Sequence, residues 1–277
     1  MIFIFLFLLG ALALTVLVGL AAGFTLWLLP LFVVGFLLMH VLYLFVWYLG
    51  SLPSDRTKPI ERQKPWSVAA CTYSAAILVL YGGWDVRVTG EEKLPRDRRF
   101  LYVSNHRSLF DPLMVMDKLR GHNICFISKD SNFSIPMVGA IAHRAGYLDI
   151  DRSHDRKALK TILTAAGYLK NDICSVGIYP EGTRTRSGEL LPFHAGSFKI
   201  AQRASAPLVI ACVQGSEAFR RHPLRRHKSV RIDILECLEP ERVRAMSTQE
   251  LSEYSRRAIE AHLEKTAAAA AGEGEKA

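Results

Sequence analysis

The first 54 of the 277 residues contain no Asp, Glu, Lys or Arg, so every one of the 35 basic and 26 acidic residues lies beyond them. The opening run, MIFIFLFLLGALALTVLVGLAAGFTLWLLPLFVVGFLLMHVLYLFVWYLG, is more than twice as long as the about 20 apolar residues that carry one helix across a bilayer. It predicts a transmembrane helical hairpin over residues 1–50, turning near Ala21 to Gly23, with Pro30 early in the second helix. A cleaved secretory leader does not fit. No positive segment precedes the apolar run, and no polar chain follows an early small-residue site. A buried core pair does not fit either, because no face of the stretch is polar. His40, inside the run, reads as a packing or interfacial histidine.

Directly afterwards, SLPSDRTKPIERQKPW sets Arg56, Lys58, Arg62 and Lys64 against Asp55 and Glu61. Positive charge beside a membrane span marks its cytoplasmic side. The amino terminus and the rest of the chain are therefore expected at the cytoplasmic face of the cell membrane. Residues 51–84 read as a basic linker and a membrane-associated helix, WSVAACTYSAAILVLYGGW, lying on the lipid surface or packed under the domain, with a third crossing the remaining alternative. The net charge of +9 belongs wholly to the part beyond the anchor. Such a balance suits nucleic acid, or anionic lipid and acidic substrates. Joined to an anchor, it points to the bilayer and to no nucleic acid. The densest basic patch, FRRHPLRRHKSVR, is a solvated loop or a headgroup contact. The five cysteines form no CxxC pair and several lie in apolar runs, as packing thiols rather than metal ligands do.

From residue 85 short β-like runs alternate with helix-length segments. FLYVS, NICFIS, YLDID, CSVGIYP, PLVIACV and VRIDILECL are rich in β-branched and aromatic residues. Between them, PLMVMDKLRG, IPMVGAIAHRAG, DRKALKTILTAAGYLK and GSFKIAQRAS repeat apolar residues at steps of three and four. This alternation predicts an α/β layered domain over residues 85–266, with a largely parallel central sheet flanked by helices. A capping box from Ser247 to Glu250 opens a last helix to about Lys265, and 267–277 reads as a disordered tail.

Sheets of this kind bind ligands in the loops beyond the carboxyl ends of their strands. Three of those loops are unusually polar. SNHRSLFD follows FLYV, DR follows YLDI, and PEGTRTRSG follows SVGIY. In the first, Asp111 is placed to accept from Nδ1 of His106 and leave Nε2 free as a base, the logic of a triad's His–Asp pair without its serine. Asp111 also precedes Pro112, an arrangement suited to capping the next helix, and the two roles are compatible. Ser108 is too close along the loop to be a nucleophile and no GxSxG elbow occurs, so loop hydrogen bonding is its reading. In the third loop, Gly182 and Gly188 bracket Thr183, Arg184, Thr185, Arg186 and Ser187; glycines permit close backbone approach, and guanidinium forks suit phosphate. Lys129 and Arg152 add cations at neighbouring strand ends, and together these suggest an anion pocket.

NHRSLFD, GYLDIDR, YPEGTRTRSG and APLVIACV, in this order and at about this spacing, resemble the four motifs of the glycerolipid acyltransferase family, over about Trp84 to Gly215. The resemblance implies that His106 is the general base and Asp111 its orienting partner. It implies further that Lys129, Arg152, Glu181, Gly182, Thr183 and Arg184 bind or frame a substrate phosphate. The implied reaction moves an acyl group from acyl-CoA or acyl carrier protein to the 2-hydroxyl of a lysophospholipid, 1-acyl-glycerol 3-phosphate, giving phosphatidic acid for phospholipid synthesis. No bound cofactor or metal is expected; the thioester is a co-substrate. Three positions depart from the family pattern and bear on acceptor choice: Asp149, the pair His194 and Ala195, and Ala211. Glycerol 3-phosphate or another lysophospholipid as acceptor is the nearest alternative. A lipid hydrolase using the same pair with water is a further one, and a non-enzymatic lipid-binding scaffold would have no need of an oriented base.

Overall fold

The computed structural model describes residues 2–23, 28–52, 55, 56, 58–135, 138–151, 154–185, 189–218 and 228–274. Arg152, Arg186 and Gly188, most of the basic patch and the last three residues lie outside them. The apolar run forms α1 (Ile2–Ala22) and α2 (Leu28–Ser51). Phe7 meets His40 and Tyr43 edge-on, and Gly35 sits opposite Leu14 and Ala11, so the two helices are antiparallel. Leucines and valines such as Leu17, Leu20, Leu38 and Val41 point outward, unburied. Among the described residues one helical stretch is long and apolar enough to cross a membrane, Leu28–Gly50, with a mean hydropathy of 2.4; the apolar stretch Leu6–Ala22 is shorter.

Helix α3 (Pro65–Tyr81) buries Ala75 and Val79 in the core beside β1 and α4, while its Tyr73 meets Phe7 and Tyr43 of the apolar helix pair. Then follow β1 (Trp84–Thr89), β2 (Leu101–Ser104), α4 (Asp111–Lys118), β3 (Ile124–Lys129), α5 (Asp130–Phe133), α6 (Val138–Arg144), β4 (Leu148–Ile150), α7 (Asp155–Lys170), β5 (Ser175–Ile178), α8 (Lys199–Ala204), β6 (Leu208–Gln214), β7 (Lys228–Leu238), α9 (Pro240–Ala245) and α10 (Thr248–Gly274). The seven strands form one sheet in the order β1-β7-β6-β2-β5-β3-β4. Every neighbouring pair is parallel except β6 and β7. The five strands from β6 to β4 thus share one direction, and their carboxyl ends open on one rim.

Successive side chains of a strand face opposite sides of the sheet. In β6, Leu208, Ile210 and Cys212 enter the core under α7, α8 and α10, while Val209, Ala211 and Val213 enter the core under α3 and α4. Both faces are covered, which is why the run reads as continuously apolar. Strand β1 is a seventh strand that the sequence did not signal. It pairs only with β7 and alternates buried and exposed residues, its Asp85 and Arg87 facing water, so its composition is that of a half-buried edge. The capping box of the last helix forms, with Ser247 N–H donating to Glu250 Oε2 at 2.6 Å and Glu250 N–H to Ser247 Oγ at 3.2 Å. The helix does not stop near Lys265 but continues to Gly274. Ala267 to Ala271 supply the strongest helix formers, which carry it past the last side chains that dock.

Candidate active site

Strand β2 ends at Ser104, and the next residue pins the loop. Asn105, almost fully buried, donates through Nδ2 to the carbonyl of Val213 (2.9 Å) and accepts from Val213 N–H (2.8 Å). This two-way bond ties the end of β2 to the end of β6. His106 follows, its side chain 17% exposed. Its Nδ1 lies 2.9 Å from Asp111 Oδ2. The same oxygen accepts the backbone N–H groups of Arg107 and Ser108, each at 2.8 Å. An oxygen already taking two amide protons acts as an acceptor, so Nδ1 carries a proton, and in the neutral ring Nε2 is the nitrogen that holds the lone pair.

Asp111 is fully buried and stands in the first turn of α4. Its carboxylate does not cap that helix, as the Asp-Pro pair had suggested. It turns back onto the preceding loop instead, and no side chain caps the amino end of α4. Proline at the second position removes one of the amides a cap would serve. Ser108 takes its expected role, its Oγ accepting from Phe110 N–H at 3.3 Å.

Strand β5 runs next to β2, so the Pro-Glu-Gly loop meets the histidine loop directly. Glu181, 3% exposed, accepts His106 N–H through Oε1 (2.6 Å) and Leu191 N–H through Oε2 (3.0 Å). Burial pushes its carboxyl above the usual carboxylate range, against the opposing pull of these two amides. Thr185 N–H donates to the carbonyl of His106 at 3.1 Å. Both main-chain groups of His106 are therefore held by the third motif, whatever its ring does. Gly182 takes φ +71°, a left-handed turn that its lack of a side chain permits. Beyond it Thr183 and Arg184 are exposed on the rim.

Lys129 ends β3, the next strand across, and is exposed. With neighbouring strands about 4.8 Å apart, the β3 end stands about 10 Å from the β2 end. Of the expected site residues, His106, Asp111, Glu181, Gly182, Thr183 and Arg184 thus fall on adjoining loops, and Lys129 on the adjacent strand end. Arg152 lies outside the described residues. Asp149 is exposed on the edge strand β4, His194 N–H closes the third loop by donating to the carbonyl of Pro180 at 2.8 Å, and Ala211 is buried in β6.

Three participants had no role assigned to them from the sequence. Asn105 looked like part of a loop. Glu217, just past β6, pairs with Arg107 at 3.1 Å. The ring of Tyr179 lies parallel to that of His106, centroids 4.1 Å apart and planes 14° apart. Among the described residues no group of three or more His, Cys, Asp or Glu could hold a metal ion. An open groove of about 470 Å³, lined by Thr89, Lys93, Asp233 and His262, lies between β1, β7 and α10 and shares no residue with these loops.

The first and third loops depend on one buried carboxylate. Glu181→Ala leaves two interior N–H donors without an acceptor, and lost bonds to a charged group are worth about 1.5–3 kcal/mol each. Thermal or denaturant unfolding should show a loss of about 3 kcal/mol. A variant as stable as the parent would mean that the two loops hold together without it.

The acyltransferase family model matches residues 85–214. The chain is 30% identical over 156 residues to the 1-acyl-sn-glycerol-3-phosphate acyltransferase of Saccharomyces cerevisiae, covering 56% of this chain and 50% of that one. It is 32% identical over 178 residues to 1-acyl-sn-glycerol-3-phosphate acyltransferase alpha of Ovis aries, covering 62% and 61%. A Caenorhabditis elegans relative, acl-1, is 32% identical over 182 residues, covering 65% and 68%. The chain spans about half to three-fifths of the length of the first two relatives. Among solved structures, the 1-acyl-sn-glycerophosphate (LPA) acyltransferase PlsC from Thermotoga maritima superposes with a TM-score of 0.63 at 21% identity, over 83% of this chain and 96% of that one, a likeness of fold.

Proposed function

Because this chain belongs to the acyltransferase family, we propose that it transfers an acyl group from a thioester to the 2-hydroxyl of 1-acyl-glycerol 3-phosphate, forming phosphatidic acid. The observation that carries this reading is the His106–Asp111 pair at 2.9 Å, with Nε2 left as a lone-pair acceptor on the rim of the sheet. In the proposed step, Nε2 takes the proton of the acceptor hydroxyl as its oxygen attacks the thioester carbonyl. The tetrahedral intermediate then collapses, the carbon–sulfur bond breaks, and the imidazolium returns the proton to the departing thiolate. The acceptor gains an ester and the carrier leaves as a free thiol. General acid–base assistance of this kind contributes about 10²–10⁴-fold. Holding two substrates on one rim supplies a further part.

Arg184, on a loop tethered to His106 by the Thr185 bond, would hold the acceptor phosphate together with Thr183 and Lys129, and Arg152, outside the described residues, keeps the phosphate-binding part that the family resemblance implies. Gly182 would let the backbone approach that phosphate. Glu181 fits the other half of its expected part. Its oxygens are occupied by main-chain amides, so it shapes the loop rather than meeting an anion.

The hairpin α1–α2 would anchor the enzyme in the cell membrane, with the exposed cations Arg56, Lys58, Arg62 and Lys64 at the cytoplasmic headgroups. An anchored site is economical for a lipid acceptor, because each CH₂ drawn into water costs about 0.8 kcal/mol. Acyl-CoA and acyl carrier protein are both anionic thioesters, and both suit a basic surface.

The test is thioester consumption by the full chain in detergent, with acyl-CoA or acyl carrier protein as donor. Turnover that requires 1-acyl-glycerol 3-phosphate and yields phosphatidic acid supports transfer. Equal thioester loss without acceptor would indicate hydrolysis, and preference for glycerol 3-phosphate or a headgroup-bearing lysolipid would reassign the acceptor. Arg184→Ala should raise the acceptor KM about tenfold or more, since a bond to a charged partner is worth about 1.5–3 kcal/mol, and leave the donor KM unchanged. An unchanged acceptor KM would move the phosphate elsewhere.

A further inference from the structure

Behind the proposed base lies a stack of rings three deep. The His106 ring rests face-on against Tyr179, and Tyr179 is in turn parallel to Phe126, centroids 5.3 Å apart and planes 10° apart. Tyr179 and Phe126 are almost wholly buried. The stack has a floor. Gly177 and Phe126 face each other across the β5–β3 ladder, and a Cβ on Gly177 would fall 2.4 Å from Phe126 Cε1. Only the missing side chain lets the Phe126 ring lie down over β5, where it backs Tyr179. Gly177 and Phe126 lie in β5 and β3, and His106 and Tyr179 just beyond the ends of β2 and β5, so the arrangement is a product of the sheet order rather than of any one loop.

We propose that Tyr179 is a positioning residue for His106, its ring face fixing the plane of the imidazole and stabilising the imidazolium that forms when Nε2 takes a proton. The inference rests on His106 being the base and names a residue that helps it act. An aromatic face carries negative potential, and a cation within about 6 Å of the centroid is stabilised by it, the more so when shielded from water. The neutral imidazole of the resting state gains far less from the same face. The contact therefore grows as the reaction proceeds, which is the condition for accelerating it rather than tightening ground-state binding. The phenol hydroxyl has no part in this. Its Oη meets no partner among the described residues, and burial, with the charge of Asp111 adding to it, pushes its pKa well above the ordinary range, so the ring remains a neutral phenol.

That separation makes the test sharp. Tyr179→Phe removes only an unbonded hydroxyl and should keep kcat within about twofold of the parent. Placing 3,4,5-trifluorophenylalanine at position 179 keeps the ring and its stack but drains the negative potential of its face. It should lower kcat about three- to tenfold relative to Tyr179→Phe, with both KM values unchanged. Tyr179→Leu should fall at least as far, with unfolding temperature measured alongside for all three. If the phenylalanine and trifluorophenylalanine proteins turn over equally, the ring is only packing and the inference is overturned, even should the leucine variant be slow. His106→Ala is run in parallel. If that variant keeps its activity, the base itself has been misassigned; if it is inactive while the ring series is flat, only the role of Tyr179 falls.

Discussion

His106→Ala is expected to lower acyl transfer by about 10²–10⁴-fold while the protein keeps its fold. The expectation of an intact fold has a specific basis. What holds this loop is main chain: His106 N–H on Glu181, its carbonyl on Thr185, and the Asn105 side chain on Val213. None of these bonds involves the imidazole. Asp111 Oδ2 keeps two of its three donors when the ring is gone, so the buried carboxylate is not stranded. The substitution thus isolates the chemical contribution of Nε2 from the architecture around it. Initial rates with 1-acyl-glycerol 3-phosphate and an acyl thioester, alongside circular dichroism and thermal unfolding, would read the two separately. A folded variant retaining a tenth of parental turnover would take His106 out of the reaction.

The polar loops were legible in the sequence because buried strands seldom end in charge without a reason, and the histidine and Pro-Glu-Gly stretches each follow an apolar run directly. What a carboxylate does once there was less legible. Asp111 reads equally well as a cap and as a partner for His106, and only the fold turns its Oδ2 away from its own helix. Glu181 reads as part of a phosphate loop, yet both its oxygens are taken by backbone amides of other residues, which no local pattern records. The same limit hid β1. Its pairing is with β7, more than 140 residues away, and a short strand with charges on its open face has no continuous apolar signature. It likewise hid Tyr179, whose contact with His106 depends on Gly177 in one strand and Phe126 in another. Local chemistry is written locally, whereas contacts that arise from strand order become visible only when the order is known.

Asp111→Asn should come close to the histidine deletion in its effect on kcat, and it separates the two roles that Asp111 was given. The carboxylate offers one oxygen to three N–H groups. An asparagine can keep an oxygen in that position only by setting its amide group where Oδ1 was, in an interior where Oδ1 itself meets no donor among the described residues. The replaced acceptor is then neutral, each of three bonds is weaker, and the imidazolium loses the counter-charge that offsets its formation. Turned the other way, the amide presents N–H to N–H and releases the Nδ1 tautomer. Either orientation should lower kcat by on the order of 10³ with little change in KM, and cost about 2 kcal/mol of stability. A capping role makes the opposite forecast, because asparagine caps helices about as well as aspartate: kcat and stability would both survive. Turnover within threefold of the parent would therefore leave Asp111 a structural residue and deprive His106 of its orienting partner. Loss of turnover in a protein that still unfolds cooperatively would identify the carboxylate as the group that sets which nitrogen is free to act.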